Sequence, residues 1–189
     1  MTRHVMPPVE GYDLGTQPTV AFLAASLDDQ LRRLREDVAG LDVEALEWQE
    51  APGRNTIGML LAHLAVAEAW WFHAGARGIS EREGINEVLQ GVIRMNPEDD
   101  GIPLAPDGGH PATLAGKTLG DYLALLERAR AASHEVLRGW TDADLDQEVE
   151  FRDRRVSRGW ILYHVLEHMV AHYGQILLLK RIRADRGLG

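Results

Sequence analysis

The chain has 189 residues, 45% of them hydrophobic and 26% charged, with a formal net charge of −9. That length and balance fit one globular domain over residues 1–189 with a core of its own, and the acidic excess argues against nucleic acid or an anionic membrane as the main partner. The absence of cysteine excludes disulfides, a cysteine nucleophile and protein thiolates as metal ligands.

Met1 to Gly15 lacks the apolar run of a signal peptide, and no segment approaches ~18 uninterrupted apolar residues. A cytoplasmic protein without a membrane span is the expectation. The first long helix starts near Pro18, a good first-turn residue. Val20, Leu23, Leu27, Leu31, Leu34 and Val38 then recur at spacings of three and four, one core-facing stripe. Gly40 ends it. Asp42 to Trp48 reads as a short helical turn, and Pro52-Gly53 breaks the chain.

Asn55 or Thr56 caps a second long helix carrying Ile57, Leu60, Leu61, Leu64, Trp71 and Phe72, which ends at Gly75 and Gly78. From Ile79 to Lys117 come four prolines and the acidic run Glu98-Asp99-Asp100. A short helix is expected around Asn86 to Met95, then irregular chain. So long a connection often carries function, here as a lid or a dimer arm. Thr118 with Asp121 opens the third long helix, whose inner stripe is Leu119, Tyr122, Leu123, Leu126, Ala129, Ser133 and Val136. After Gly139, Thr141-x-x-Asp144 starts another turn, and Val149 to Val156 suggests a small hairpin. Ser157 caps the fourth long helix, which runs to about Ala184.

Four long amphipathic helices predict an all-α fold, a four-helix bundle. Short joins make helices 1 and 2, and helices 3 and 4, antiparallel. The long crossover between helices 2 and 3 lets those two run parallel. The expected topology is up-down-down-up, which leaves helices 2 and 4 antiparallel.

The chemistry concentrates in His168-Met-Val-Ala-His172-Tyr-Gly-Gln175. Two histidines four apart on a helix share one face, about 6 Å apart at Cβ. A divalent metal about 2.0–2.1 Å from each nitrogen bridges that gap. His164 extends the stripe one turn back, and His63 sits in another apolar helix. The pattern reads as a three-histidine metal site inside the bundle. Three neutral imidazoles leave the ion its charge and an open position, the catalytic arrangement. Such an ion acidifies bound water or a bound thiol. The alternative is histidines packed in the core with ordinary hydrogen bonds. Other metal patterns are absent: there is no Glu-x-x-His of the di-iron type and no His-Glu-x-x-His, and Gly108-Gly109 is no phosphate cradle.

Pro52-Gly53-Arg54-Asn55-Thr56-Ile57-Gly58 followed by Leu60-Leu61-Ala62-His63-Leu64 resembles the second helix of the DinB/YfiT-like metalloenzyme superfamily. Trp160 to His168, running into His172-Tyr173-Gly174-Gln175-Ile176, resembles its fourth. The resemblance covers most of the chain and is weakest from Ile79 to Lys117. It implies an up-down-down-up bundle, a homodimer, and a metal triad of His63, His168 and His172. Relatives include thiol transferases and isomerases that use mycothiol, bacillithiol or glutathione, with zinc or nickel as metal. The function it implies is conjugation of a low-molecular-weight thiol to electrophiles. A metal-dependent hydrolase and a non-catalytic, stress-related binding or dimerisation module are the alternatives.

The resemblance leaves His164 outside the triad, as a supporting or packing residue. His73 is expected at a helix end, facing away, and His4, His110 and His134 at the surface. Glu68 and Glu167 read as surface acids that can also orient a histidine. Tyr163 and Tyr173 read as core residues with a second reading as proton donors near the pocket. Gln175 reads as structural.

Overall fold

In the computed structural model, which describes residues 9–95, 106–151 and 154–188, the chain is predominantly helical. Four long helices are α1 (Pro18–Val38), α3 (Ile57–His73), α5 (Leu119–Leu137) and α6 (Arg158–Asp185); two short ones are α2 (Val43–Glu47) and α4 (Arg82–Val92). Strands β1 (Glu148–Phe151) and β2 (Arg154–Ser157) form an antiparallel hairpin in which Val149 faces Val156. Its second strand leads directly into α6.

Local signals explain most boundaries. Asp42, Thr56, Thr118 and Ser157 each accept a backbone N–H of the first turn that follows, capping α2, α3, α5 and α6. Asp121 returns the favour at α5, its carboxylate accepting from the Thr118 N–H, a capping box with Asp in the place of Glu. The short helix of the long connection begins at Arg82, a turn before the expected Asn86, and stops at Val92. Pro97, Pro103 and the acidic run lie outside the described residues, as does His4.

α1 buries most of the stripe its spacing announced, Val20, Leu27, Leu31, Leu34 and Val38, with Leu23 only partly covered. α3 is different: almost every side chain in it is buried. It packs against α5 and α6, and α1 in turn packs against the same two helices. Ile57–Arg77 is long and apolar enough to cross a membrane by composition, but 78% of that window is buried in the fold, as in a core helix. Two glycines permit close approach. A Cβ on Gly53 would lie 1.8 Å from the Pro106 carbonyl oxygen, and its φ of +76° favours glycine in any case. A Cβ on Gly58 would meet the Tyr122 hydroxyl at 2.7 Å.

The inner face of α5 departs from the expected stripe. Tyr122, Leu126, Ala129 and Ser133 are buried, but Leu119, Leu123 and Val136 are only partly so, and Arg130 is buried. Its guanidinium forms a two-pronged pair with Glu68 at 2.7 and 3.0 Å and reaches Asp28 at 3.0 Å. Glu68 is therefore not a surface acid; it is 3% exposed, and its carboxylate is taken up by Arg130. Two histidines expected at the surface are also packed. His134 bonds Asp28 through Nε2 and the Tyr12 hydroxyl through Nδ1. His110 Nδ1 bonds the Thr56 hydroxyl, tying the 106–116 segment to the start of α3. Each sits where a distant acid or hydroxyl supplies a partner. Tyr173 is core, with its hydroxyl on Asp37, whereas Tyr163 is 55% exposed.

Candidate metal centre

α3 and α6 cross antiparallel. Near the start of α3, His63 meets His168 and His172; two turns on, Trp71 meets His164 and Trp160. The i, i+4 spacing on α6 points His168 and His172 at the same neighbour, and all three rings are partly buried. His63 Nε2 lies 3.0 Å from His168 Nε2, and His172 Nε2 lies 3.1 Å from the same atom. The three ligand atoms all lie within 4.8 Å of one another.

Ordinary hydrogen bonding serves this geometry poorly. A neutral imidazole nitrogen either carries its one proton or offers its one lone pair. His168 Nε2 therefore cannot make two good bonds at once, although two nitrogens converge on it. A cation removes the conflict, because all three lone pairs then point inward. Metal–nitrogen bonds of about 2.0–2.1 Å hold tetrahedral nitrogens roughly 3.3 Å apart, a small expansion from the contacts above. The donor set fits a divalent ion with an open position.

The electrostatics lean the same way. Burial, with the neighbouring His172, His63 and His164 rings, pushes the His168 pKa down to about 3. The ring is neutral across the physiological range, the state in which imidazole ligates. His172 Nδ1 lies 2.9 Å from Gln175 Oε1. A proton on that nitrogen donates to the amide oxygen and leaves the Nε2 lone pair facing the centre. Gln175 thus orients His172, a role one turn downstream that its spacing to His172 already permitted.

His164 stands beside the triad. Its ring stacks on Trp160 at 4.6 Å, meets Trp71 edge-on at 5.2 Å, and lies 6.0 Å from His168. Glu167 is exposed and faces His164 at 3.4 Å. His73 ends α3, half-buried, and burial lowers its pKa.

A cleft of about 450 Å³ runs from the centre between α3 and α4, lined by Trp70, Trp71, Ile85 and Leu89 as well as His63 and His168. That volume is in the range of small-molecule sites. A groove of about 600 Å³ lies at the far end of α6 beside Lys180 and Arg183, and none of the three histidines lines it.

The sequence model of a family described as mycothiol-S-transferase matches residues 22–184. Among solved structures, a conserved protein from Enterococcus faecalis superimposes with a TM-score of 0.63 at 16% identity, covering 86% of this chain and 95% of its own. A DinB-like protein from Bacillus cereus superimposes with a TM-score of 0.53 at 18% identity, covering 85% and 91%. At such identities the likeness is one of fold. No curated protein matches the chain.

Proposed function

The chain belongs to the DinB/YfiT-like mycothiol-S-transferase family, and on that premise we propose that it is a metal-dependent transferase joining a low-molecular-weight thiol to small electrophiles. The observation that carries the reading is the convergence of three imidazole nitrogens at the end of a ligand-sized cleft. His63, His168 and His172 would hold the ion, zinc or nickel, with Gln175 orienting His172. When bound, the ion supplies charge that lowers the pKa of a thiol at its open position.

The chain's own residues do the rest. The neutral rings add no negative charge, so the full charge of the ion is left to act on the thiol. The thiol proton leaves to solvent, the thiolate sulfur bonds the electrophilic carbon, and the bonding pair departs with the leaving group or onto an opened oxygen, which takes up a proton. A protein without cysteine has no thiol of its own to capture the electrophile, which fits an external thiol such as mycothiol or bacillithiol. The reading extends to a single domain with up-down-down-up topology, a homodimeric state, a cytoplasmic location, and neither nucleic acid nor membrane as partner.

The test is metal content per chain by elemental mass spectrometry on untagged protein, for wild type and His168→Ala. About one ion per wild-type chain, lost in a variant that stays folded, is expected. Thiol-consumption and hydrolysis assays on one electrophile panel then separate transfer from water activation. No metal, even after zinc or nickel is added, sinks the reading.

A further inference from the structure

We propose that the cleft between α3 and α4 holds the electrophile, that this acceptor is flat and apolar, and that the thiol approaches from the opposite, solvent-facing end of the triad. The proposal rests on the transferase reading and divides that site between its two substrates.

The division comes from which histidines line the cleft. His63 and His168 do; His172 does not. The triad therefore closes one end of the cleft and shows a second side elsewhere. The cleft follows α3 from His63 towards Trp71 and α6 from His168 back towards His164. His172 lies one turn further along α6 in the other direction. Around it the helix surface is open: Ala171 and Gln175 are both exposed. A reaction between two substrates needs both at the same centre, and the molecule offers two unlike approaches to it.

Their chemistry assigns them. Trp70 and Trp71 meet at 4.6 Å, and their rings with Ile85 and Leu89 make an apolar slot. Aromatic walls favour planar guests through offset or edge-on ring contacts. An extensively hydroxylated thiol would lose its hydration there without recovering it. The open face at His172 and Gln175 leaves such a thiol hydrated while its sulfur reaches the centre. The slot is not wholly apolar: Ser80, Arg82 and Asn86 line it at one side, and the Asn86 Oδ1 atom is buried without a hydrogen-bond partner among the described residues. An occupant with one N–H or O–H donor on a flat body satisfies that oxygen, whereas a pure hydrocarbon leaves it unmet.

Binding separates this proposal from the activity it rests on. Zinc-loaded protein is titrated calorimetrically with 3-nitroaniline, a flat arene with one N–H donor group and no leaving group, and separately with mycothiol. Wild type and Ile85→Asp are compared, with circular dichroism as the check on folding. The arene is expected to saturate one site per chain, and Ile85→Asp to weaken it at least about tenfold, because a carboxylate replaces an apolar wall. Mycothiol affinity is expected to change less than about twofold. Conversely, Ala171→Trp, which fills the open face, is expected to weaken mycothiol and spare the arene. The assignment is overturned when the arene fails to saturate, or when Ile85→Asp weakens mycothiol instead. Saturable arene binding with no thiol consumed on any electrophile would leave the cleft assignment standing and remove the transferase reading. Thiol consumption with small polar iodoacetamide but no arene binding would do the reverse.

Discussion

Gln175 makes no part of the triad, yet it decides which nitrogen of His172 faces inward. Partners of this kind are worth about 10–100-fold in metal affinity. Gln175→Ala is expected to lose that much in a chelator competition titration while circular dichroism stays unchanged, because the side chain is exposed. Unchanged affinity would mean that packing alone holds the ring. Glu68 and Arg130 make a second residue-scale case. Both are buried and paired, so removing Glu68 leaves the buried Arg130 guanidinium with Asp28 as its one remaining carboxylate among the described residues. Glu68→Ala is expected to cost about 3–5 kcal/mol by chemical denaturation, whereas Glu68→Leu with Arg130→Met is expected to recover most of it. A double variant as weak as the single would place the value of the pair in its charges. Asp28 adds a pH dependence. Burial alone would raise its pKa, but hydrogen bonds from His134 and Arg130 and their charges outweigh that and hold it below the ordinary carboxylate value. A depressed folded pKa gives stability that is present above the unfolded value, about 3.9. That stability is lost as pH falls through the folded value. Asp28→Asn is expected to flatten the stability–pH curve below about pH 4, read as denaturation midpoints from pH 2.5 to 6.

At the scale of elements, the helices differ in how their ends are secured. α1 is capped from a distance: Asp142, after α5, accepts from the Thr19 and Val20 N–H groups at 3.0–3.1 Å. Gln17, the residue before the helix, spends its amide on the Arg138 and Trp140 carbonyls instead. Asp142→Ala is expected to lower the unfolding midpoint by about 2–4 °C, the usual worth of a cap in a chain of this size. Local caps are readable in a sequence, and Thr118-x-x-Asp121 and Ser157 were. A cap supplied across 122 residues is not, because nothing near Pro18 announces it. The same limit hid Arg130. Charges on an amphipathic helix read as its wet face until a partner such as Glu68 appears on another helix. α3, buried nearly all round, has no polar stripe to say which side meets α5 and which meets α6. The histidines escaped this limit because His168 and His172 announce one face by spacing alone, and His63 is the polar interruption in an apolar run.

For the whole molecule, an ion held by the three histidines would act as a staple. It would join α3 to α6 across 105 residues of chain, two helices that also pack against each other. The unfolded chain keeps only the local His168–His172 pair and loses His63, so an ion binds it weakly. An ion that binds the folded chain and hardly the unfolded one stabilises by RT ln(1 + [L]/Kd), about 2.7 kcal/mol at a hundredfold excess over Kd. For a chain of this length that is worth roughly 5–10 °C in unfolding midpoint. Zinc at that excess is therefore expected to raise the wild-type midpoint by this amount over protein stripped with chelator. His168→Ala is expected to show no such rise, whatever its own baseline. The staple also sets a direction for the cleft, because Trp70, Trp71 and His63 are carried on α3 and are held against α6 only while the crossing holds. Calorimetric scans of stripped and loaded protein at two zinc concentrations check the claim, since mass action requires the midpoint to climb with free ion. An equal midpoint with and without zinc would show that the two helices need no bridge, and the converging nitrogens would then be a feature of packing.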